Sequence, residues 1–584
     1  GLEWDIIKGL TFRTSGTVQY NVNKYNTYTI AWYDGAESSA SVSKNESYTY
    51  MWDNTLNYVN TWKKHSLVGL VGFSIEKYES DGLKASGSGF PDDQVLTNLN
   101  SAAKKNSISS SYSSNTLASF LSRLEYKFNN RYLLTLNFRA DGSSQFGPDK
   151  RWGYFPSGAV AWIITEENFM KDYSNIVSYL KLRGSVGKTG SQNLGAYDWR
   201  TLMGSATYNG AAGIVPSSLG NDILQWEEQI QKEVGLDYGF WDDRIRGTLG
   251  YYQKKVDNLL YSDPVPTSSS FSSVYQNIGS LKNRGIEFDV RVDIIKNVQK
   301  DLTWNVDFNI ARNRTTLEKL NSSDGYFGGG AYDYFKIEEG GETGRFYGYK
   351  DAGRLFMTNE ELVGLKTIDP KTGTLKYYRD DYNYERQGDV YIMDLDGDGQ
   401  ITADGDRTVI GNANPDFFGG FGTTVYWKGL MVNATFTYSV GADRFYDEEK
   451  NSAGDMNVYN TSKNVLKSWT MNPGVNASYP RAMYYGWGSN SIITDRYIHD
   501  ASYLRMTALN LSYRLPKHLY KNSILNAVEF TFQATNLFTW TKYPGMDPQG
   551  NFSTTYSAFY NMGIDYSTYP SARTYNFGIK LTLK

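Results

Sequence analysis

The chain has 584 residues and a formal net charge of −3 from 59 basic and 62 acidic side chains. This near-neutral balance gives no bulk attraction for nucleic acid, and we expect no nucleic-acid partner. The absence of cysteine excludes a disulfide framework and a thiolate metal site. Tyrosine (48), tryptophan (14) and glycine (56) are abundant, which is typical of many strands joined by polar turns.

Hydropathy excludes a transmembrane helix without excluding a membrane protein. No run of about 18 apolar residues occurs in the chain. The mean hydropathy of −0.52 is that of a soluble protein, yet a transmembrane β-barrel is also polar on average, because only alternate residues face lipid. The first residues, Gly1-Leu-Glu-Trp-Asp-Ile-Ile, have no leader pattern, so we expect the chain to be part of a longer protein.

The first sharp strand pattern lies at residues 124–138. Apolar side chains occupy every second position on both arms: Leu124, Tyr126, Phe128, Tyr132, Leu134, Leu136 and Phe138. Between the arms, Asn129-Asn130 is a tight-turn sequence. The segment therefore predicts an antiparallel hairpin with one apolar and one polar face.

Residues 184–193, GSVGKTGSQN, contain the Gly187-Lys188-Thr189 triplet that closes a phosphate-binding loop. That loop needs a further glycine five positions before Gly187, because its backbone N–H groups wrap the phosphates. Leu182 stands there instead. The residues before the triplet alternate as a strand and no helical period follows it, so the pattern argues against a nucleotide site.

Later strands repeat the same alternation. Residues 285–294 (GIEFDVRVDI) and 301–310 (DLTWNVDFNI) each place apolar side chains on one face and charged or amide side chains on the other. Segments 528–534 and 575–583 follow the same rule. We count about seventeen such strands, with the length of about 9 to 11 residues that a tilted strand needs to cross a bilayer.

The connections alternate in length. Short turns such as Asn129-Asn130 and Trp241-Asp242-Asp243 alternate with long stretches predicted at 79–114, 189–224, 314–343 and 442–495. Outer-membrane barrels have short turns on one side and long loops on the other. The alternative is a soluble β-sandwich or propeller, in which the apolar stripes pack on each other. A propeller would need a blade repeat, and the sequence shows none.

Residues 394–406, DLDGDGQITADGD, resemble the first half of an EF-hand calcium loop. Aspartates occupy positions 1, 3 and 5 and a glycine occupies position 6 of that pattern. Position 12, where a bidentate glutamate is expected, is Gly405. We predict a structural Ca²⁺ site, with an ion-free loop of Asx turns as the alternative. Its candidate ligands are Asp394, Asp396, Asp398, Gln400, Asp404 and Asp406.

Catalytic patterns are absent from the sequence. No Gly-x-Ser-x-Gly elbow or His-Glu-x-x-His motif occurs, and the three histidines have no metal-binding spacing. Carboxylate pairs such as Glu227-Glu228 are adjacent, so in a strand they face opposite sides. We therefore expect no catalytic residue and no required cofactor.

Several motifs, in chain order, resemble the SusC/RagA-type TonB-dependent transporters of Bacteroidota. They run across the whole chain and their joint occurrence is highly specific: Asn130-Arg-Tyr-Leu-Leu, Arg139-Ala-Asp-Gly-Ser-Ser-Gln-Phe-Gly, Arg151-Trp-Gly-Tyr-Phe-Pro-Ser-Gly, Leu182-Arg-Gly-Ser-Val-Gly-Lys-Thr-Gly, Trp226-Glu, Asn283-Arg-Gly-Ile-Glu, Asp396-Gly-Asp-Gly and Asn414-Pro-Asp-Phe-Phe-Gly-Gly-Phe.

The resemblance implies a large antiparallel transmembrane β-barrel in the bacterial outer membrane, of about 22 strands. Such proteins carry an N-terminal plug and import glycans or peptides under a SusD-like surface lipoprotein, with energy delivered through TonB. Residues 1–584 are then expected to be the C-terminal part of the barrel, without the plug, the TonB box and about five strands. The predicted partners are the lipoprotein, TonB, outer-membrane lipid and an oligosaccharide or peptide substrate.

The predicted function is therefore active import across the outer membrane, without enzymatic activity. Two alternatives remain open at this stage. One is a passive porin or structural outer-membrane protein, and the other is a soluble β-rich adhesin or carbohydrate-binding protein.

Overall fold

The computed structural model describes the chain except for residues 34, 298, 321–325, 329–333, 357–366, 369–374, 377–386, 455–459, 471–476, 483–489, 491, 522–523, 551–561, 567 and 584. Its dominant feature is one sheet of 17 strands. In chain order these are β1 (Leu2–Ile7), β2 (Leu10–Thr29), β3 (Ser39–Trp62), β4 (His65–Ser88), β5 (Lys104–Phe128), β6 (Tyr132–Ser143), β7 (Trp152–Ile163), β8 (Val177–Ser191), β9 (Glu227–Phe240), β10 (Ile245–Asp257), β11 (Ser280–Asn297), β12 (Leu302–Lys319), β13 (Phe417–Trp427), β14 (Leu430–Val440), β15 (Tyr503–Arg514), β16 (Leu525–Thr541) and β17 (Thr574–Leu583).

The sheet is an antiparallel meander in which each strand pairs with the strand before and after it in the chain. The hairpin predicted at 124–138 is β5 and β6, with Phe128 opposite Tyr132. The hairpin predicted at 285–310 is β11 and β12, with Phe288 opposite Ile310. The GSVGKTG stretch forms the last part of β8, as its alternation predicts. The prediction of an all-β fold with about seventeen antiparallel strands is confirmed.

Short turns and long loops alternate along the meander, as predicted. At the short end, Asn129 and Asn130 have φ values of 53° and 54°, which asparagine tolerates because its side chain is short and polar. The loop predicted at 79–114 is wrong in extent, since β4 runs to Ser88 and β5 starts at Lys104. Its serine-rich arms satisfy their backbone groups by pairing with each other, which a hydrophobic pattern does not report.

The two faces of the sheet differ in chemistry. Apolar side chains on the outer face are exposed, for example Val18 at 69%, Val234 at 57% and Phe577 at 81%. The inner face carries charged and amide side chains, for example Arg183 and Asp237 on β8 and β9. We refer to these two surfaces as the outer face and the inner face of the sheet.

The long loops contain their own short strands and helical turns. The short strands are Leu202–Tyr208, Ala211–Ser218, Leu260–Pro264, Ser273–Asn277, Tyr326–Gly328, Lys336–Glu338, Arg345–Tyr349, Asp351–Leu355, Thr367–Ile368, Leu375–Lys376, Val390–Ile392, Arg407–Asn412, Asp443–Tyr446, Ile498–Asp500 and Ile564–Asp565. The helical turns are Leu99–Ser101, Pro148–Lys150, Ile164–Glu166, Asn168–Tyr173, Thr267–Ser269, Ala403–Asp406, Asp447–Glu449, Lys450–Gly454, Lys463–Lys467, Asp495–Tyr497 and Lys517–Leu519. Within the described ranges, none of the helices has the length and apolar character required to cross a membrane.

The buried apolar clusters lie mainly in these loops and at the strand ends next to them. The largest cluster joins residues from three separate loops around Phe346, Phe445 and Ile564. A second cluster surrounds Phe356 and Ile392, and a third lies around Phe146 and Trp226. Among the described residues, the chain therefore folds its water-excluded cores at the long-loop end.

Candidate functional site

The inner face of β8 and β9 carries a compact set of paired charges. Arg183 binds both Glu233 and Asp237, and its Nε lies 3.2 Å from the Asp237 Oδ1. Lys181 Nζ is 3.3 Å from the other oxygen of the same carboxylate. Because these positions alternate with Leu182 and Val234 on the outer face, the strand period alone directs them inward. Of these residues, Arg183 and Glu233 line a cleft together with Gln231 and other polar side chains.

The loops after β12, β14 and β16 fold together at the long-loop end. Asp443–Tyr446 pairs antiparallel with Ile498–Asp500 and parallel with Ile564–Asp565, so one small sheet joins two loops. Phe445 is fully buried in this sheet, and its ring centroid lies 4.7 Å from that of Tyr334 in the third loop. We call this unit the loop assembly.

Two carboxylates inside the loop assembly, Asp565 and Glu449, are held by side-chain hydrogen bonds. The Tyr543 hydroxyl donates to Asp565 Oδ2 at 2.8 Å, and burial together with this bond raises the pKa of Tyr543. Glu449 accepts from the Tyr479 hydroxyl at 2.5 Å and lies 2.6 Å from His499 Nε2. Burial alone would raise the pKa of Glu449, but these two partners stabilise its charged form and hold the pKa below its usual value.

Two arginine pairs fix the loops in place. Arg505, on the inner side of β15, donates to Asp547 Oδ1 at 2.5 Å and to Gln549 at 2.6 Å, which ties the loop after β16 to the sheet. Burial raises the pKa of Asp547, yet Arg505 and backbone N–H groups lower it by more, so the net shift is downward. Arg496 Nη2 lies 2.7 Å from Asp351, which joins the loops after β12 and β14.

The predicted cation loop forms one compact turn, in which three of its six candidate residues come together. The carboxylate oxygens of Asp394, Asp396 and Asp398 lie within 4.8 Å of one another. Asp394 accepts the backbone N–H groups of Gly397 and Gly399 at 2.7 and 2.8 Å. Each of these contacts leaves carboxylate lone pairs free for a hard cation, which favours oxygen ligands.

The other three candidates take different positions. Asp406 is buried, and its two oxygens accept the backbone N–H groups of Leu395 and Thr402 at 2.6 and 2.7 Å, so it closes the loop rather than joining the cluster. Asp404 is exposed on the helical turn Ala403–Asp406. Gln400 is nearly buried at 9% exposure. Among the described residues, the carboxylate cluster therefore contains three aspartates.

Gly405 occupies the position where a bidentate glutamate was expected. A Cβ atom there would lie 2.3 Å from Asp396 Oδ2, so a side chain at this position would require the Asp396 carboxylate to move. The Asp398 N–H lowers the pKa of Asp396, but desolvation and the charges of Asp398 and Asp406 raise it by more. The net upward shift of the pKa reflects desolvation first and the crowding of like charges second.

Sequence reasoning did not find the residues that organise the loop assembly. Arg505 and Asp547 are 42 positions apart, and Glu449 and His499 are 50 positions apart. No spacing rule links such positions. The only available signal was the density of Tyr, Asp and Arg in the long loops, which does not specify partners.

The family model for "TonB dependent receptor-like, beta-barrel" matches residues 1–423. The chain belongs to the TonB-dependent receptor family. The TonB-dependent receptor P3 of Formosa agariphila (strain DSM 15362) is 31% identical over 598 residues, which cover 99% of this chain and 57% of that protein. The TonB-dependent receptor SusC of Bacteroides thetaiotaomicron is 32% identical over 483 residues, which cover 80% of this chain and 44% of SusC.

The fold of this TonB-dependent receptor chain also matches a solved structure. The structure of the RagAB peptide transporter aligns with a TM-score of 0.81 at 26% identity, covering 99% of this chain and 60% of that one. The predicted resemblance to SusC and RagA is confirmed. The chain spans about half the length of the curated relatives it matches, between 44% and 57%.

Proposed function

We propose that the full protein containing this chain is an outer-membrane importer that moves an oligomeric nutrient through its barrel. The observation that carries the proposal is the division of one sheet into an apolar outer face and a charged inner face. An exposed apolar surface of this kind is stable against lipid and unfavourable against water. The inner face then borders a hydrated passage, and the loop assembly lies at its mouth.

We propose peptides as the substrate class, with glycans as the alternative. The RagAB system, which this chain resembles along 99% of its length, is a peptide transporter. The paired charges of Arg183, Glu233 and Lys181 on the inner face offer partners of both signs, which suit peptide termini and charged side chains. Tyrosines of the loop assembly offer flat apolar rings with a polar end, which suit either class.

The proposal includes an energy source and a partner. In the family that the sequence resembles, TonB delivers the energy and a SusD-like lipoprotein covers the mouth. We extend both to the full protein, because a loop assembly with its own buried core provides a rigid surface on which a second protein can dock. A passive porin would need neither.

Uptake in cells tests the proposal. A strain lacking the whole gene should lose uptake of labelled oligopeptides, and the full gene should restore it. A protonophore should abolish the restored uptake, whereas a passive porin would continue to conduct. Restored uptake of oligosaccharides but not of peptides would show that glycans are the substrate class. Uptake that is insensitive to the protonophore would reject the proposal of active import.

Extraction of the full protein distinguishes an outer-membrane protein from the alternative of a soluble adhesin. We expect the protein to stay in the detergent phase, accompanied by a lipoprotein after mild solubilisation. Recovery in detergent-free buffer would contradict insertion of the outer face in a membrane.

We further propose that the Asp394–Asp398 turn binds a structural Ca²⁺ ion. The support is chemical, because three carboxylates within 4.8 Å suit a hard divalent cation that would relieve their mutual repulsion. Calorimetric titration of the full protein with Ca²⁺ should give one saturable site that is lost in D396N and D398N. The matched control D404N should bind as the wild type does, because Asp404 lies outside the cluster. Equal heats for D396N and the wild type would reject the site.

A further inference from the structure

A patch of basic side chains lies on the outer face of β8 to β12, at the long-loop end. The cross-strand register aligns Val186, Lys232, Gln253, Arg284 and Arg314 in one row. Directly cross-strand residues share a face. The adjacent rows add Lys188, Lys255 and Lys282 above and Arg312 below. We call these seven side chains the basic patch: Lys188, Lys232, Lys255, Lys282, Arg284, Arg312 and Arg314.

Part of the basic patch is neutralised by neighbouring carboxylates. Lys188 Nζ lies 2.6 Å from Glu228, and Lys255 and Lys282 share Glu318 at 3.5 and 3.3 Å. Arg314 forms an ion pair with Asp416 in the loop after β12, with 2.8 Å between Nη2 and Oδ1.

Three cations of the basic patch have no such partner. Lys232, Arg284 and Arg312 are exposed, and within the part of the chain that the structure describes none of them has an ion pair. They lie on β9, β11 and β12, with Gln253 of β10 between Lys232 and Arg284, in the row of Val186 or the row immediately below it. These side chains therefore present uncompensated positive charge beside the apolar surface.

The excess charge is local to this sector of the outer face. On β2 to β4, Lys24, Lys44 and Lys77 are matched by acidic neighbours on the same face, and Lys44 and Lys77 form ion pairs with Glu46 and Glu79. A general requirement for solubility at the rim would not concentrate cations on one sector.

An apolar groove begins directly beneath the basic patch. It follows the outer face of β6 to β10, where Gly158 and Gly184 leave a trough between Leu136, Val160, Val186 and Val234. Lys232 and Gln253 stand at its upper end. The Cβ position of Gly184 has one neighbouring atom within 4 Å, at 3.8 Å, so the trough is open on its outward side.

We propose that the basic patch and the groove form a binding site for a lipid with a phosphate-bearing headgroup. The phosphate would lie against Lys232, Arg284 and Arg312, because guanidinium and ammonium groups donate charge-assisted hydrogen bonds to phosphate. An acyl chain would fill the groove below. The site would be in the leaflet at the long-loop end, where the register places the patch at the upper edge of the apolar surface. This inference rests on the proposed insertion of the sheet in a membrane.

The experiment uses the full protein, purified in detergent and delipidated. Binding of lipid A that carries phosphate is compared with binding of the same lipid after enzymatic dephosphorylation, and inorganic phosphate is tested as a competitor. The patch variant is K232Q/R284Q/R312Q. The matched control is K24Q/K44Q/K77Q, which removes the same formal charge from the other sector of the outer face.

The patch variant is expected to bind the phosphorylated lipid on the order of 100-fold more weakly, because each cation near an anionic surface changes binding by about five-fold. The control variant should bind it as the wild type does. Both variants should bind the dephosphorylated lipid equally. Equal binding of the two lipids by the wild type would overturn the proposal, as would competition by millimolar inorganic phosphate alone.

A second variant, G184L, keeps the test informative if the patch variant does not fold. Leucine would fill the trough without touching the basic patch, so both lipids should bind more weakly. Unchanged binding of the phosphorylated lipid would contradict the site. A protein that requires detergent yet shows no preference for phosphate rejects only the lipid site. A protein recovered without detergent rejects the proposed function as well.

Discussion

The outer face of the sheet and the loop assembly use apolar side chains in opposite ways. On the outer face, Val18 and Phe577 are 69% and 81% exposed. In the loop assembly, Phe346 and Phe445 are fully buried. Both regions belong to one chain and both contain large apolar side chains. They differ in whether those side chains point out of the sheet or into a buried core.

The comparison indicates two different surroundings for one protein. An apolar side chain contributes about 1.5 to 3 kcal/mol when it leaves water, so the exposed rows of the outer face would be unfavourable in water. The loop assembly gains this free energy internally, as a soluble domain does. We therefore expect substitutions to act by opposite rules in the two regions.

The largest expected effect is that of F445A in the loop assembly. Removing a fully buried ring should destabilise the assembly by about 3 to 5 kcal/mol, since the cavity is closed on all sides. Limited proteolysis of the detergent-solubilised full protein should show faster cleavage in the loops after β14 and β16. The matched change F577A on the outer face should leave that cleavage rate unchanged. Equal acceleration of cleavage by both variants would show that burial of apolar side chains does not distinguish the two regions.

The next effect tests the link between the two regions. R505Q should leave the nearly buried Asp547 carboxylate without its charged partner, at a cost of about 3 kcal/mol. The double variant R505Q/D547N should recover part of this loss, because no charge then remains buried. Hydrogen exchange in the loop after β16 measures both. If the single and double variants exchange at the same rate, the pair does not anchor the loop.

A third prediction concerns the outer face in a bilayer. L249R places a charge in the row of Leu236 and Phe288 and should cost about 2 to 4 kcal/mol in lipid. The control S185R lies on the inner face opposite Glu233 and should cost less than 1 kcal/mol. Urea titration of the protein in liposomes measures the free energy of unfolding of each variant. The reverse order would place lipid on the wrong face of the sheet.

The smallest effect is a pH dependence within the loop assembly. The folded-state pKa of Glu449 is lowered, so its contribution to stability is present above the unfolded pKa of about 4.3 and is lost as the pH falls through the folded pKa. The folded-state pKa of Asp351 is raised by burial, so its effect has the opposite sign. E449Q should cost about 1 to 2 kcal/mol at pH 7 and flatten the acid dependence of loop protection.

The outcome of this prediction is read from hydrogen exchange as the pH is lowered from 7 to about 2, well below the unfolded pKa of about 4.3. E449Q and the wild type should converge as the pH falls. If loop protection in E449Q and in the wild type changed with pH in parallel, the bonds from His499 and Tyr479 would not stabilise the charged form of Glu449.

The strands were predictable because their signal is local. Alternation in 285–294 and 301–310 identified β11 and β12, and Asn129-Asn130 identified the turn between β5 and β6. The prediction failed where polar strands extend beyond the apolar rows. Residues 79–88 and 104–114 belong to β4 and β5, although serine and lysine there give no hydrophobic period.

The cation loop was predictable in part for the same reason. The alternate spacing of Asp394, Asp396 and Asp398 brings their carboxylates together within one turn. The position of Asp406 depended on the closure of that turn, in which each of its two oxygens accepts one backbone N–H group. A run of acidic residues in the sequence shows where negative charge is concentrated. Hydrogen bonding in the folded loop determines which carboxylates remain available to bind a cation.

The strand alternation, the short turns, the number of strands and the family could be predicted from the amino-acid sequence, because each depends on neighbouring residues. The three-dimensional fold was needed to show which loops join, which carboxylates are buried and where the basic patch forms. Lys232, Arg284 and Arg312 lie on different strands, and the register of the sheet places them in two neighbouring rows of the outer face. Local periodicity fixes the face on which a side chain lies, and backbone pairing between distant segments fixes its neighbours.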